Sequence, residues 1–245
     1  LTQIILGIIS SSFKAALLPG YSLWLDADDA STFTYSSGTV VSQWNDKSAN
    51  GYNFTQATTS QQPVRQTNIQ NGLPALNMHT GGTIRWMSNS SYDFSSGAFT
   101  IFCVYDSNGG NFTTVAGRNT VGSVTLGTNA NSVNYAISRI GQATTSSNLT
   151  PTGSNADVIV YKSAGVSGGN LSADLYKNGT AGSSTLTVGI TSAGDKFTIG
   201  ATQNGSADHY QPDGYLCELI VYPSQLSDTD RNSVEAYLKT KWGTP

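Results

Sequence analysis

Short runs in which apolar and polar residues alternate recur along the whole chain. Asn-Gly dipeptides at 50–51, 71–72, 108–109, 178–179 and 204–205 fall among them. A period of two reads as β-strand, and Asn-Gly tolerates the positive φ angles of a two-residue hairpin turn. The pattern predicts strands at Tyr21–Leu25, Val40–Trp44, Ala75–Met78, Ala98–Tyr105, Thr113–Ala116, Ser123–Leu126, Asn134–Ile140, Asp157–Tyr161, Ser172–Lys177, Thr185–Val188, Lys196–Ile199 and Tyr215–Tyr222. Asn178-Gly179, between two alternating runs, is expected to close a hairpin. Many short strands with such turns argue an all-β fold of two packed antiparallel sheets. No repeat of 20–50 residues is visible, which disfavours a propeller or solenoid.

The end of the chain departs from this rhythm. The run Gly214-Tyr215-Leu216-Cys217-Glu218-Leu219-Ile220-Val221-Tyr222 is apolar on both sides, so it is expected to be a strand covered on both faces. Glu218 interrupts it and is one of only two glutamates in the protein. Next comes a single helix, expected near 228–241. Ser227 caps it, Asp230 stands three residues on, and Asp228 adds an acid to the first turn. Val234, Tyr237, Leu238 and Trp242 recur at helical spacing, Lys239 and Lys241 meet the negative end, and Gly243 ends it.

The pattern Gly-x-Leu-x-Glu-Leu-x-Val-Tyr over 214–222, followed by Leu226-Ser227, Tyr237-Leu238 and Lys241-Trp242-Gly243, resembles the close of a concanavalin A-like lectin/glucanase domain of the laminin-G-like jelly-roll branch. The opening agrees: Leu23-Trp24-Leu25-Asp26-Ala27-Asp28, Val41-Ser42-Gln43-Trp44-Asn45-Asp46-Lys47-Ser48 and Asn71-Gly72-Leu73-Pro74-Ala75-Leu76. So does Leu175-Tyr176-Lys177-Asn178-Gly179 in the middle. The resemblance runs from about Pro19 to Gly243 and implies one two-sheet jelly-roll sandwich over 19–245 with one C-terminal helix. It also implies that Asp26 and Asp28 fasten a strand end to neighbouring backbone, a structural role that the apolar setting of Glu218 suggests for that residue too.

Bulk properties narrow the partners. Charged residues make up 11% of the chain, against about 25% in an ordinary soluble domain, so solubility rests on Ser, Thr, Asn, Gln and Gly. The net charge of −3 comes without a basic cluster, which argues against nucleic acid. Cys103 and Cys217 both fall inside apolar strands; buried thiols are the simpler reading and a cross-strand disulfide the alternative. The apolar run Ile4, Ile5, Leu6, Ile8 and Ile9 is too short to span a membrane. Residues 1–18 are therefore expected to form an anchor that contacts neighbouring subunits of an assembly, with the chain a homo-oligomer there. This opening also resembles the N-terminal segments of tailed-phage virion proteins.

Candidate chemistry is sparse. The glucanase relatives use paired carboxylates on one strand, spaced E-x-D-x-E or E-x-D-x-x-E, and Glu218 is alone on its strand while Glu235 lies on the helix. No Gly-x-Ser-x-Gly elbow or phosphate-binding loop occurs. No cofactor is required on this reading. Calcium is the one ion the sequence admits, through Asp106 and Asn108, with a second acid-bearing loop at 204–213. The same loop offers Gln203, Asn204, Asp208, His209 and Tyr210 as a glycan site, and Arg85, Trp86 and Tyr92 form a second aromatic group.

The sequence reading is thus a non-enzymatic surface protein of a tailed-phage virion, a capsid decoration or tail protein. Its partners would be other virion subunits and a host cell-surface glycan. The alternative is a secreted carbohydrate-binding module; a glycoside hydrolase ranks last.

Overall fold

The structure, a computed structural model, describes residues 17–80, 83–94, 97–107, 114–118, 124–128, 134–139, 144–153, 155–191, 196–201 and 214–245. In chain order the strands are β1 (Leu23–Asp26), β2 (Phe33–Ser37), β3 (Val40–Trp44), β4 (Phe54–Thr55), β5 (Val64–Gln70), β6 (Leu73–Asn77), β7 (His79–Thr80), β8 (Thr83–Ile84), β9 (Met87–Asn89) and β10 (Phe99–Asp106). They continue as β11 (Thr114–Arg118), β12 (Val124–Thr128), β13 (Tyr135–Arg139), β14 (Thr144–Ser146), β15 (Asp157–Ser167), β16 (Asn170–Lys177), β17 (Thr180–Ala181), β18 (Leu186–Gly189), β19 (Phe197–Ile199) and β20 (Tyr215–Tyr222). Helix α1 (Asp228–Trp242) follows.

Every strand pairing among the described residues is antiparallel. One sheet centres on β20, which has β1 and β6 along one edge and β10 along the other; β15 and β16 follow, and β17 and β18 share the outer edge of β16. The second runs β14–β13–β12–β11–β19–β9–β4–β3–β2. Strand β5 pairs with both β3 and β6 and so joins the two at one corner. The protein is an all-β antiparallel sandwich of the jelly-roll type with one C-terminal helix, as the alternation and the capping pattern predict. Tyr161 of β15 spans the interior: its hydroxyl donates to the carbonyls of Gly127 and Ala136 in the opposite sheet, at 3.2 and 3.4 Å.

The two-sided apolar strands now have a cause. The first sheet is covered inside by the second sheet and outside by α1, which packs over β10 and β15. Val234, Leu238 and Trp242 are fully buried beneath it. The helix begins as its sequence predicts, with the Asp230 backbone N–H donating to Ser227 Oγ at 3.1 Å. It ends on Gly243 at φ +63°, the left-handed region that favours glycine. Arg231 pairs with Glu235 one turn on, at 2.8 Å, and its guanidinium lies 3.7 Å from the centre of the Tyr176 ring, so the helix is tied to the β16 hairpin. That hairpin turns on Asn178-Gly179, both at positive φ, as expected.

Cys103 and Cys217 are free and buried in the paired strands β10 and β20. Cys217 is the extra residue where their register slips between Val104 and Tyr105. Burial pushes both thiols well above their ordinary range, and for Cys217 the nearby carboxylates of Asp106 and Glu218 add to it. A thiol-specific reagent should therefore leave both unlabelled in the native protein and label both in guanidinium. Unfolded thiols ionise near about pH 8.5, so the stability that these neutral thiols contribute is complete below that pH and lost above it. A melting temperature that stays level up to pH 9.5, or rapid native labelling at pH 8, would contradict this burial.

Of the expected anchor segment, only Leu17 and Leu18 are described. Both pack against the core, and the Leu18 carbonyl accepts from the Tyr222 hydroxyl at 2.6 Å. The run Ile4, Ile5, Leu6, Ile8 and Ile9 lies outside the described residues.

Candidate functional site

Several residues singled out in the sequence converge on a buried polar knot under α1. Asp26 and Glu218 stand opposite one another across the β1–β20 pair. Glu218 is wholly buried: Oε1 accepts from Trp24 Nε1 at 2.7 Å and Tyr237 Oη at 3.3 Å, and Oε2 from Trp242 Nε1 at 2.6 Å and Lys241 Nζ at 2.9 Å. Lys241 also reaches Asp26 at 2.6 Å, and Lys47 reaches Asp26 and Asp29 at 2.9 Å each. Burial, reinforced by the Asp26 charge, raises the Glu218 pKa against the pull of Lys241 and Trp242. Retaining glycosidases work with two carboxyl groups about 5–5.5 Å apart, and Asp26 and Glu218 are joined here through Lys241, at 2.6 and 2.9 Å. Here, however, both oxygens of Glu218 are taken up by the indoles, the ammonium and the phenol. The knot grips the strand end, the following loop and the last helical turn. At the strand end the acids divide the work: Asp26 accepts from the Asp28 backbone N–H at 3.1 Å, while the Asp28 side chain is exposed. Asp29 accepts from the Ser31 hydroxyl at 2.6 Å and from the Ser31 N–H at 3.1 Å; the hydroxyl contact and Lys47 lower its pKa to about 2.

The other sequence candidates are scattered or not described. Gln203, Asn204, Asp208, His209, Tyr210 and Asn108 lie outside the described residues. Asp106 ends β10, half-buried. Among the described residues no cluster of three or more His, Cys, Asp or Glu side chains is placed to hold a metal. The second aromatic group is no surface platform. Trp86 is buried against Ala201, Tyr92 is buried with its hydroxyl 2.6 Å from Ser22 Oγ, and Arg85 donates to the Gln62 carbonyl at 2.5 Å.

A cleft that the sequence reading missed opens over the outer face of the second sheet, at β4, β9 and the residue before β19; its volume is about 430 Å³. Strand alternation builds it. Phe54 and Met87 point into the core, so Thr55 and Ser88, opposite one another in register, point out. Its walls are two turns. Asn89 is buried; its Oδ1 accepts the backbone N–H groups of Ser91 and Tyr92 at 2.8 Å and its Nδ2 donates to the Asn53 carbonyl at 2.8 Å. That Asx turn turns Ser90 and Ser91 outward, where both are exposed. Across the cleft, Gly51 at φ +69° lets the chain double back so that Asn53 N–H reaches the Gly51 carbonyl at 2.9 Å.

The 46–53 loop is rigid for a readable reason. Asp46 accepts the backbone N–H groups of Trp24, Ser48 and Tyr52 at 2.8–3.0 Å, and its own N–H donates to Asn53 Oδ1 at 3.0 Å. Asn53 Nδ2 and the hydroxyls of Thr55, Ser88, Ser90 and Ser91 are left without a hydrogen-bond partner among the described residues. Among the described residues that line the cleft, Lys196 is the one that carries a charge.

The sequence matches no family model and no curated protein sequence. Solved structures do match. A Trypanosoma rangeli sialidase in complex with sialic acid aligns over 95% of this chain and 36% of its own, at 13% identity and a TM-score of 0.53. The same sialidase with 2,3-difluorosialic acid, a covalent intermediate, aligns over 93% and 34%, at 12% identity and 0.53. A GH54 α-L-arabinofuranosidase aligns over 83% and 51%, at 14% identity and 0.55. The chain thus spans a third to a half of the length of these proteins. At such identity the likeness establishes the fold, a β-sandwich consistent with the concanavalin A-like resemblance. It overturns the reading as a non-enzymatic phage virion protein, because the proteins that share the fold are glycoside hydrolases and nothing in them points to a virion, capsid or tail.

Proposed function

We propose that this sandwich recognises carbohydrate, and that the cleft over β4 and β9 is its site. The observation that carries this reading is a rigid recess whose hydroxyls and one amide have no hydrogen-bond partner among the described residues. Sugar hydroxyls both donate and accept, and Ser and Thr hydroxyls answer them in either sense. Each such bond nets only about 0.5–1.5 kcal/mol against water, so several must act together, and the fixed turns supply them without further ordering. The matched sialidase in complex with sialic acid and the arabinofuranosidase soaked with an arabinofuranoside support the ligand class. The shortage of charge fits a domain that works at polysaccharide surfaces.

A glycan array followed by calorimetry tests the proposal. Thr55 is exposed, so Thr55→Trp should fill the cleft while changing stability by no more than about 0.5 kcal/mol. Affinity for any array hit should fall at least about tenfold, or 1.4 kcal/mol. Undiminished binding by this variant would move the site elsewhere, and an empty array would remove the function.

A further inference from the structure

We infer that the cleft selects its saccharide through Asn53. The amide of this residue can only donate there, so the ligand must set a hydrogen-bond-accepting oxygen against it and gains nothing from a proton on that oxygen. The inference rests on the carbohydrate reading and follows from what the two amides that line the recess have left to offer. Asn53 Oδ1 accepts the Asp46 backbone N–H at 3.0 Å. A backbone N–H cannot accept, so turning the amide over would set donor against donor, and Nδ2 is the end that remains. The rest of Asn53 is held as well: its N–H donates to the Gly51 carbonyl at 2.9 Å, and its carbonyl accepts from Asn89 Nδ2 at 2.8 Å. Asn89 uses both ends of its amide, Oδ1 on the N–H groups of Ser91 and Tyr92 and Nδ2 on that carbonyl.

The hydroxyls of Thr55, Ser88, Ser90 and Ser91 rotate and can meet either a donor or an acceptor, so they add affinity without choosing. Asn53 does choose. It stands two residues before Thr55, and strand alternation sets both on the outer face. The loop that carries it is already ordered, because the Asp46 carboxylate accepts the N–H groups of Trp24, Ser48 and Tyr52 at 2.8–3.0 Å. A ligand oxygen therefore meets a donor that does not swing away and needs no further ordering. A sugar hydroxyl, a ring oxygen or an acyl carbonyl each satisfies it with a lone pair. An analogue that lacks the oxygen is rejected, because the donor loses its water and gains no partner. Among the described residues no aromatic ring lines the recess, so stacking does not mask this choice.

The test uses the whole chain and the best glycan from the array. Its oxygens are removed one at a time, and in a second series its hydroxyls are O-methylated one at a time; a methyl ether keeps the lone pairs and loses the proton. At one position, removing the oxygen should weaken binding about tenfold by calorimetry, while O-methylation should leave it within about threefold. If that group is a carbonyl or ring oxygen, which has no proton, the demand is met directly. Asn53→Asp keeps the volume and the acceptor for the Asp46 N–H but replaces the donor by a second oxygen. It should bind the parent glycan about tenfold more weakly and no longer distinguish it from the deoxy analogue at that position, a coupling that a merely weakened fold would not reproduce. Asn53→Ala removes the amide without adding charge and should show the same loss of discrimination, which covers the case in which the aspartate variant does not fold. Methyl ethers that lose as much as their deoxy partners at every position would mean that the site requires sugar protons, and would overturn the inference. So would folded Asn53 variants that keep the full deoxy penalty at every position; in both cases the carbohydrate site stands. An array with no hits of any kind removes both.

Discussion

Glu218→Ala is expected to lower the melting temperature by about 10 °C. Removing one partner of a buried ion pair costs about 3–5 kcal/mol, and a chain of this length loses about 2–4 °C for each. The cost arises from what is left behind. Lys241 keeps Asp26, but the indoles of Trp24 and Trp242 lose the acceptor that holds them at 2.7 and 2.6 Å, and a void opens where no solvent reaches. Glu218→Gln separates shape from charge: it retains the volume and one acceptor, and should fall between wild type and alanine. Its deficit should also depend on pH. The fold raises the Glu218 pKa, so the proton-linked stability of wild type is complete below the ordinary glutamate range, about pH 4.3, and is lost as pH rises through the native value. Glutamine has no such dependence, so its deficit should narrow between pH 4 and 7. An alanine variant that melts within 2 °C of wild type would show that the knot is incidental to the fold.

How much of this was legible in the sequence depended on contrast. The strands Phe99–Asp106 and Tyr215–Tyr222 and the helix are written in apolar residues against a polar background, and their ends are marked by Asn-Gly, Ser227 and Gly243. Eight of the described strands went unpredicted: β2 (Phe-Thr-Tyr-Ser-Ser), β4 (Phe-Thr), β5 (Val-Arg-Gln-Thr-Asn-Ile-Gln), β9 (Met-Ser-Asn), β14 (Thr-Thr-Ser) and the two-residue β7, β8 and β17. In a chain this rich in Ser, Thr and Asn, a short strand with one core-facing residue cannot be told from a loop. The cleft is made from two of those strands, and so the candidate site was hidden along with them. Its one local signal was Ser88-Asn89-Ser90-Ser91 beside Asn50-Gly51-Tyr52-Asn53, polar runs no different from many others here. The placement of Asn89 and Asn53 depends on pairing of β4 with β9, which no local pattern encodes. Glu218 was visible because it broke an apolar run, but its partners come from positions 24, 237, 241 and 242, brought together only by the sandwich.

Gly214→Ala should be among the most damaging single-methyl additions to this fold, costing about 3 kcal/mol or more in urea unfolding. Gly214 sits just before β20 at φ +153°, outside the range L-residues readily adopt. A Cβ there would stand 2.9 Å from the Asp106 carbonyl carbon and 3.0 Å from Tyr105 Oη, and closer still to the Asp106 carbonyl oxygen. Neither side can give way cheaply. Asp106 pairs with Tyr215 at the end of the β10–β20 ladder, and the Gly214 carbonyl accepts from the Met78 N–H at 3.2 Å. Relief would require parting the central strands of the first sheet or releasing the end of β6. Gly168→Ala provides the comparison: it has φ +56° at the tip of the β15–β16 hairpin, with no atom within 4 Å of an added Cβ. That change carries backbone strain alone, about 1 kcal/mol. The difference between the two variants measures the close approach of strand to strand. Equal costs would mean that this approach is looser than described and that backbone conformation accounts for both.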